Sequence, residues 1–333
     1  MTGKKRKRGQ RAMRDIPEIL AAGADVSGEA ISAEWGMTRA AVWKRVKALQ
    51  AEGWPIESRG KRGYRLAEND RLDPVLWQHA LQTRALGRGT VCFAQELTST
   101  NTVLKQMGAE GAPHGSLCLC ETQTAGRGRL GRAWVSAPGA GLWQSVLLRP
   151  DVPPLKAPML TYCAALAMAD ALAETAGLTA GIKWPNDLVA DGKKLCGILL
   201  ECSMEPDRVD FVVVGVGLNV LPAAVPEDLR HQAACVADFG AVPKRREILL
   251  HYLAALERWT DRLEEKGLAG VRESVRQRCV TLGRTVRVQG AQNFTGVAED
   301  IDADGALVVR CENGRLQRVM AGDVSVRGVM GYV

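Results

Sequence analysis

From Ile16 onward the apolar residues recur at helical spacing, with Ile16, Ile19 and Leu20 at i, i+3 and i+4. A second short helix is predicted to start at Ser27, a capping residue, and to break at Gly36. Thr38 can cap the next one, "RAAVWKRVKALQAEG", whose apolar face carries Val42, Val46 and Leu49. The opposite face carries Arg39, Lys44, Arg45 and Lys47. "WPIESRGKRGYRL" then reads as two short strands around a Gly-Lys-Arg-Gly turn. The composition turns acidic and polar at residues 67–75, where Pro74 interrupts, and "VLWQHALQTRALG" after it predicts a helix. Beyond this linker the runs become β-type: "TVCFAQEL", "SLCLCETQT", "LWQSVLL", "LCGILLE" and "RVDFVVVGVGLNV". Helices are predicted among them at "TVLKQMGAEGA" and at "MLTYCAALAMADALAETAG", the second apolar on most sides and so buried. At the end, short strands spaced by Asp304-Gly305 and Asn313-Gly314 turns predict a small SH3-like β-barrel over about 280–328.

Helix, helix, basic helix and strand pair is the order of a winged helix-turn-helix. In that arrangement the third helix fits the major groove while backbone contacts fix its register. Thr38, Arg39, Ala40 and Ala41 open that helix and are placed at the base edges, where small residues allow close approach. Lys44, Arg45, Lys61 and Arg62 are placed on phosphates. Charge strengthens this reading. The net charge is +7, and Lys4, Lys5, Arg6, Lys7, Arg8, Arg11 and Arg14 equal the whole excess. A basic arm over residues 1–14 suits a phosphate backbone.

A chain of 333 residues exceeds what one core usually serves, so two or three domains are expected. No apolar run reaches the ~18 to 20 residues of a membrane span, and no hydrophobic segment follows the basic start. A cytoplasmic protein without membrane contact is expected. Nine cysteines, an odd number without a C-x-x-C pair, predict reduced thiols packed as small hydrophobes.

The chemistry centres on "ETQTAGRGRLGRAWVSAPGAGLWQSVLL", in which Gly126 to Gly131 spell G-x-G-x-x-G. A dinucleotide fingerprint needs a strand, the glycine turn and then a helix. Here the strand is present and the helix is missing, while Arg127, Arg129 and Arg132 crowd the loop. Guanidiniums bind phosphate or carboxylate bidentately, so the stretch reads as a glycine-mobilised anion loop that orders on its ligand. Trp134 is placed to cover an apolar or aromatic part of that ligand. Ser99, Thr100 and Asn101 stand where a strand hands over to a helix, either as caps or as ligand contacts. Lys183-Trp184-Pro185-Asn186-Asp187 combines a strand end, a proline turn and polar side chains, and Asn219 ends a later strand. A lysine, an asparagine, an aspartate and three arginines beside one sheet point to phosphate chemistry.

Ser99-Thr100-Asn101, Gln123, the Gly126 to Trp134 loop, Lys183 to Asp187, "KLCGILLE" and "VGVGLN" resemble, in the same order, the biotin–protein ligase family. With a winged helix in front, the chain resembles the bifunctional members that also repress biotin-synthesis genes. The resemblance covers nearly the whole length. Leu130, where many relatives carry another arginine, and Cys196, where alanine is common, depart from the pattern.

The resemblance implies an α+β chain. Its parts are a winged helix-turn-helix at 15–68, a central mixed-sheet, class II synthetase-like catalytic domain at 76–276, and the SH3-like domain at 280–330. It implies a biotin pocket from Ser99, Thr100, Asn101, Gln123, Arg127, Gly128, Arg129, Lys194 and Gly197. The ATP side takes Arg132, Trp134, Lys183, Asn186, Asp187 and Asn219, with Lys183 and Arg129 as the catalytic cations. Mg²⁺ is implied with the nucleotide and no other metal. The implied partners are the biotin carrier domain of a carboxylase, operator DNA, and a second copy of the chain when biotinyl-5′-adenylate is bound. Two alternatives are a ligand-sensing transcription factor without ligase activity and a lipoate–protein ligase.

Overall fold

The computed structural model describes residues 15–205, 207–290, 293–320 and 325–328. The basic arm predicted at 1–14 lies outside the described residues. The chain forms two compact units that divide between His79 and Ala80.

The first unit opens with α1 (Ile16–Leu20), α2 (Gly28–Trp35) and α3 (Arg39–Ala51), followed by the antiparallel pair β1 (Ile56–Ser58) and β2 (Tyr64–Leu66). Each helix starts on a side-chain cap, Asp15, Ser27 and Thr38 accepting from backbone N–H groups, and α2 stops on left-handed Gly36. Ile16, Leu20, Ile31, Val42, Val46 and Leu49 form the core, joined by Ile56, Leu66 and Leu76. Because Leu76 packs into this core, the unit runs past the linker that composition suggested.

The helix predicted after Pro74 is absent. Two 3₁₀ turns, Pro74–Leu76 and Gln78–Ala80, stand there instead. A distant carboxylate takes the amides that a helix would need: Glu257 accepts from the backbone N–H groups of Arg84, Ala85 and Leu86 at 2.7, 2.8 and 3.1 Å. Burial alone would raise the Glu257 carboxyl, but these donors hold it below the ordinary value.

The second unit is built on β3 (Val91–Leu97), β4 (Leu117–Gln123), β5 (Gly141–Leu148), β6 (Gly181–Lys183), β7 (Asp187–Ala190), β8 (Lys193–Met204) and β9 (Val209–Asn219). Their order is β3-β4-β5-β9-β8-β7-β6, parallel at β3–β4 and antiparallel elsewhere. All eight residues of β5, an interior strand beside the central β9, are buried, so it is covered on both faces. On one side lies α4 (Thr100–Ala109), and on the other the long pair α5 (Leu160–Ala176) and α6 (Arg245–Lys266). Helix α7 (Ala269–Arg278) leads to β10 (Thr285–Gln289), β11 (Phe294–Ile301), β12 (Leu307–Cys311), β13 (Leu316–Val319) and β14 (Ser325–Gly328). These make an antiparallel sheet of order β13-β12-β11-β10-β14, with the predicted glycine turns at Gly305 and Gly314 in positive φ.

All nine cysteines are free thiols. Burial pushes Cys120 up to about 12 and drives Cys118, Cys163 and Cys196 higher still, so they serve as packing groups rather than nucleophiles. Among the described residues no helix is long and apolar enough to cross a membrane.

Candidate functional site

A cavity of about 430 Å³ opens along the ends of β4, β6, β8 and β9. Every residue singled out for a small-molecule site lines it: Ser99, Thr100, Asn101, Gln123, Arg127, Gly128, Arg129, Arg132, Trp134, Lys183, Asn186, Asp187, Lys194, Gly197 and Asn219. Among the described residues five cations stand in that lining against one carboxylate, Asp187. This balance suits a ligand set that carries several negative charges.

The Ser-Thr-Asn cluster is wired rather than merely capping. Ser99 holds the N-cap position of α4 but makes no side-chain cap bond. Gln123 takes that role from β4, its Oε1 accepting from Thr100 N at 2.9 Å and from the Thr100 hydroxyl at 3.2 Å. Gln123 Nε2 in turn donates to Ser136 Oγ at 2.8 Å. Ser145, fully buried on β5, stands 2.8 Å from Thr100 Oγ1 and 2.6 Å from Asn101 Oδ1. Asn101 Nδ2 donates to Glu201 Oε2 at 3.0 Å. Glu201 also receives Arg127 at 3.3 Å and thereby ties the glycine loop to β8.

That loop is a small hairpin. Gly128 N donates to Arg132 O at 2.7 Å and Trp134 N to Gly126 O at 2.8 Å. Two of its glycines also have steric roles. A Cβ on Gly126 would sit 2.3 Å from Trp134 O, and Gly131 needs its positive φ of 71°. Leu130 at the tip is also left-handed, with φ 56°, and 53% exposed, a conformation that costs a non-glycine residue roughly 1–2 kcal/mol.

Trp134 lies on a glycine floor. Gly197 and Gly217 are paired in register, and a Cβ on either would come within 2.7 or 2.6 Å of the indole. Lys194 Nζ stands 5.1 Å from the ring centroid and 2.7 Å from Asp187 Oδ1. Lys194 lies inside β8. Arg129 donates to Asn186 Oδ1 at 3.0 Å, and Asn186 is anchored by Ile198 on both sides. Lys183, 6% exposed, closes β6 at the cavity wall. Asn219 donates to Ala234 O at 3.1 Å, pinning the 233–235 segment against β9.

Sequence reasoning missed Ser136, Ser145, Glu201 and Gly215. Ser145 has no sequence signal, whereas the glycines of "VGVGLN" carried one. Gly215 is required because a Cβ there would lie 2.0 Å from Asn101 Oδ1.

In the first unit, Arg39, Ala40 and Lys44 are exposed on α3, as is Lys61 in the wing. Thr38 uses its hydroxyl to accept from Ala41 N at 3.3 Å. Three predicted cations have carboxylate partners: Arg39 with Glu29 at 3.0 Å, Arg62 with Asp25 at 3.4 Å, and Arg45 with Asp15 at 2.7 Å. Arg39 and its partner are widely exposed, so that pair is weak. Arg45 is half-buried and also faces Glu52, which commits it to the domain's own packing. Trp43, overlooked in the pattern, is 56% exposed between Arg39 and Lys47 at i, i+4 and i+8.

Comparison with known proteins accounts for each part. Residues 93–219 match the Biotin/lipoate A/B protein ligase family, 281–327 the Biotin protein ligase C terminal domain, and 13–65 an HTH domain. The bifunctional ligase/repressor BirA of Bacillus subtilis is 33% identical over 306 residues, covering 90% of this chain and 94% of its own. BirA of Escherichia coli is 30% identical, with 93% and 95% covered. A biotin protein ligase from Aquifex aeolicus, solved with biotin and ATP, superposes with a TM-score of 0.63 at 28% identity, covering 72% of this chain and 99% of that one. By sequence, domain order and fold, the chain belongs to the biotin/lipoate protein ligase family, among its bifunctional ligase/repressors.

Proposed function

We propose that the protein attaches biotin to a lysine of a carrier protein through biotinyl-5′-adenylate and, with the adenylate as corepressor, represses biotin-synthesis genes. In the first step a biotin carboxylate oxygen bonds to the α-phosphorus of ATP and the bond to the β-phosphoryl oxygen breaks, releasing pyrophosphate. In the second a carrier lysine amine attacks the acyl carbon, loses a proton and expels AMP. The observation that carries the reading is five cations and one carboxylate around a single cavity. Two anions must meet there, and the cations offset their repulsion. We assign Ser99, Thr100, Gln123, Arg127, Gly128, Lys194 and Gly197 to the biotin end, with Asn101 setting the frame beside it. Arg132, Trp134, Asn186, Asp187 and Asn219 go to the nucleotide end. Lys183 and Arg129 stand at the reacting centre.

Among the described residues no cluster of three or more His, Cys, Asp or Glu side chains could hold a metal ion. Asp187, the single carboxylate of the lining, is already paired with Lys194. In this reading Mg²⁺ would arrive on the ATP phosphates, with Asp187 or Asn186 nearby. The free thiols fit a reducing cytoplasm. Incubation with biotin, ATP and a biotin carrier domain tests the reading: labelled carrier is expected, and lipoate in place of biotin is expected to give none. A chain that binds biotin but transfers none would instead be a sensor.

The regulatory half rests on the exposed face of α3. Lys44→Ala and Lys47→Ala should each weaken duplex binding at every sequence and reduce the salt slope by about 1. Trp43→Ala should instead narrow the gap between operator and random DNA, because an apolar ring reads thymine methyl groups. Titrations at three salt concentrations separate the two behaviours. Two winged helices reading a palindrome require a dimer, and sedimentation should show association that strengthens with the adenylate. An unchanged association constant argues against that coupling.

A further inference from the structure

The strand that ends in Lys183 is held from behind by the C-terminal domain. On the edge of β6 away from β7, Val280 N donates to Ile182 O at 2.9 Å, and Trp184 N donates to Thr281 Oγ1 at 3.0 Å. The residues on either side of Lys183 are thus both bonded to the segment that opens the C-terminal sheet. The Trp184 indole, buried beneath the site, has its Nε1–H on Tyr162 Oη at 2.8 Å. Tyr162 Oη–H then donates to Gly305 O at 2.6 Å. Gly305 sits in the turn between β11 and β12, and its φ of 81° delivers that carbonyl to α5. Burial pushes the Tyr162 phenol above its usual value, so it stays a protonated donor. An ion pair, Lys156 with Asp304 at 3.0 Å, seats the same turn.

We infer that Tyr162 is a positioning residue, through which the Gly305 turn of the C-terminal domain fixes Trp184 and so the place of Lys183. The inference rests on the reading that Lys183 acts in adenylate formation. A buried indole with one polar atom has few ways to register its position, and a single hydroxyl bridging two domains supplies it. A displacement of an ångström at a catalytic cation is enough to slow a reaction that depends on positioning. The C-terminal domain then contributes to the first half-reaction through Thr281 and Gly305, which do not line the cavity.

The test is the rate of pyrophosphate release by the full chain at saturating biotin and ATP. Tyr162→Phe keeps the ring and removes only the hydroxyl; the rate is expected to fall about tenfold with the KM for biotin unchanged. Thr281→Val, which cuts the second tie, is expected to act in the same direction and serves if the first variant folds poorly. The deciding measurement is the double variant with Lys183→Ala. If Tyr162 acts through the lysine, adding Tyr162→Phe to Lys183→Ala costs nothing further. A full additional loss in the double variant, or a wild-type rate in Tyr162→Phe, overturns the inference. A Lys183→Ala protein that forms adenylate normally overturns instead the reading on which it rests.

Discussion

Replacing Lys183 with alanine is expected to slow adenylate formation by about 10²–10³-fold, the typical loss when one preorganised charge-stabilising donor is removed. Lys183 is 6% exposed and held at the end of β6 by pairing with Asp187 across the β6–β7 turn. A cation in such a place needs no reorganisation as charge builds on phosphorus. Two unit negative charges about 4 Å apart repel by roughly 4 kcal/mol at an effective dielectric of 20, so the cations around the cavity have a large term to offset. Pyrophosphate release reads the first step. Chemically prepared biotinyl-5′-adenylate reads the second, and the variant should still pass its biotin to a carrier. Lys183→Arg keeps the charge but spreads it over a planar fork, and partial activity is expected. An alanine variant that releases pyrophosphate at the normal rate would move the catalytic role to Arg129.

Most of this site was legible because its chemistry sits in short contiguous stretches. Ser99 to Asn101, Gly126 to Trp134 and Lys183 to Asp187 each carry several polar groups at a strand end, and the sheet brings them to one cavity. What stayed hidden depends on residues far away in the chain. Ser145 meets Asn101 from 44 positions downstream, and Glu201 meets it from 100. Neither partner leaves a local signature. The same physics removed the helix expected after Pro74: Glu257, 172 positions from Ala85, takes the amides that a helix would have used. On α3 the helical wheel placed Arg45 with the free cations, yet Asp15, 30 positions upstream, claims it. The glycine loop was only partly legible for another reason. Its spacing shows where side chains are missing, but not whether that absence serves motion, close approach or a left-handed turn.

Breaking the buried pair between Arg245 and Glu121 should cost the second unit about 3–5 kcal/mol, the usual loss when one member of a buried ion pair is removed. The side chains are 4% and 12% exposed and meet at 2.8 Å, and Arg245 also donates to Gly141 O at 3.1 Å. The pair joins the first residue of α6 to β4 and to the start of β5, two residues from Gln123. For Arg245→Met this predicts a fall in melting temperature on the order of 10 °C. The instability is expected to come from a largely buried carboxylate that has lost its guanidinium, so Arg245→Met with Glu121→Leu should recover most of it. That recovery separates the two causes. A double variant as unstable as the single one would mean that the arginine's bond to Gly141 O, not its charge pairing, holds α6 against the sheet. If the double variant is stable and still biotinylates its carrier, the ion pair is architectural, and the cations that matter to the reaction are those lining the cavity.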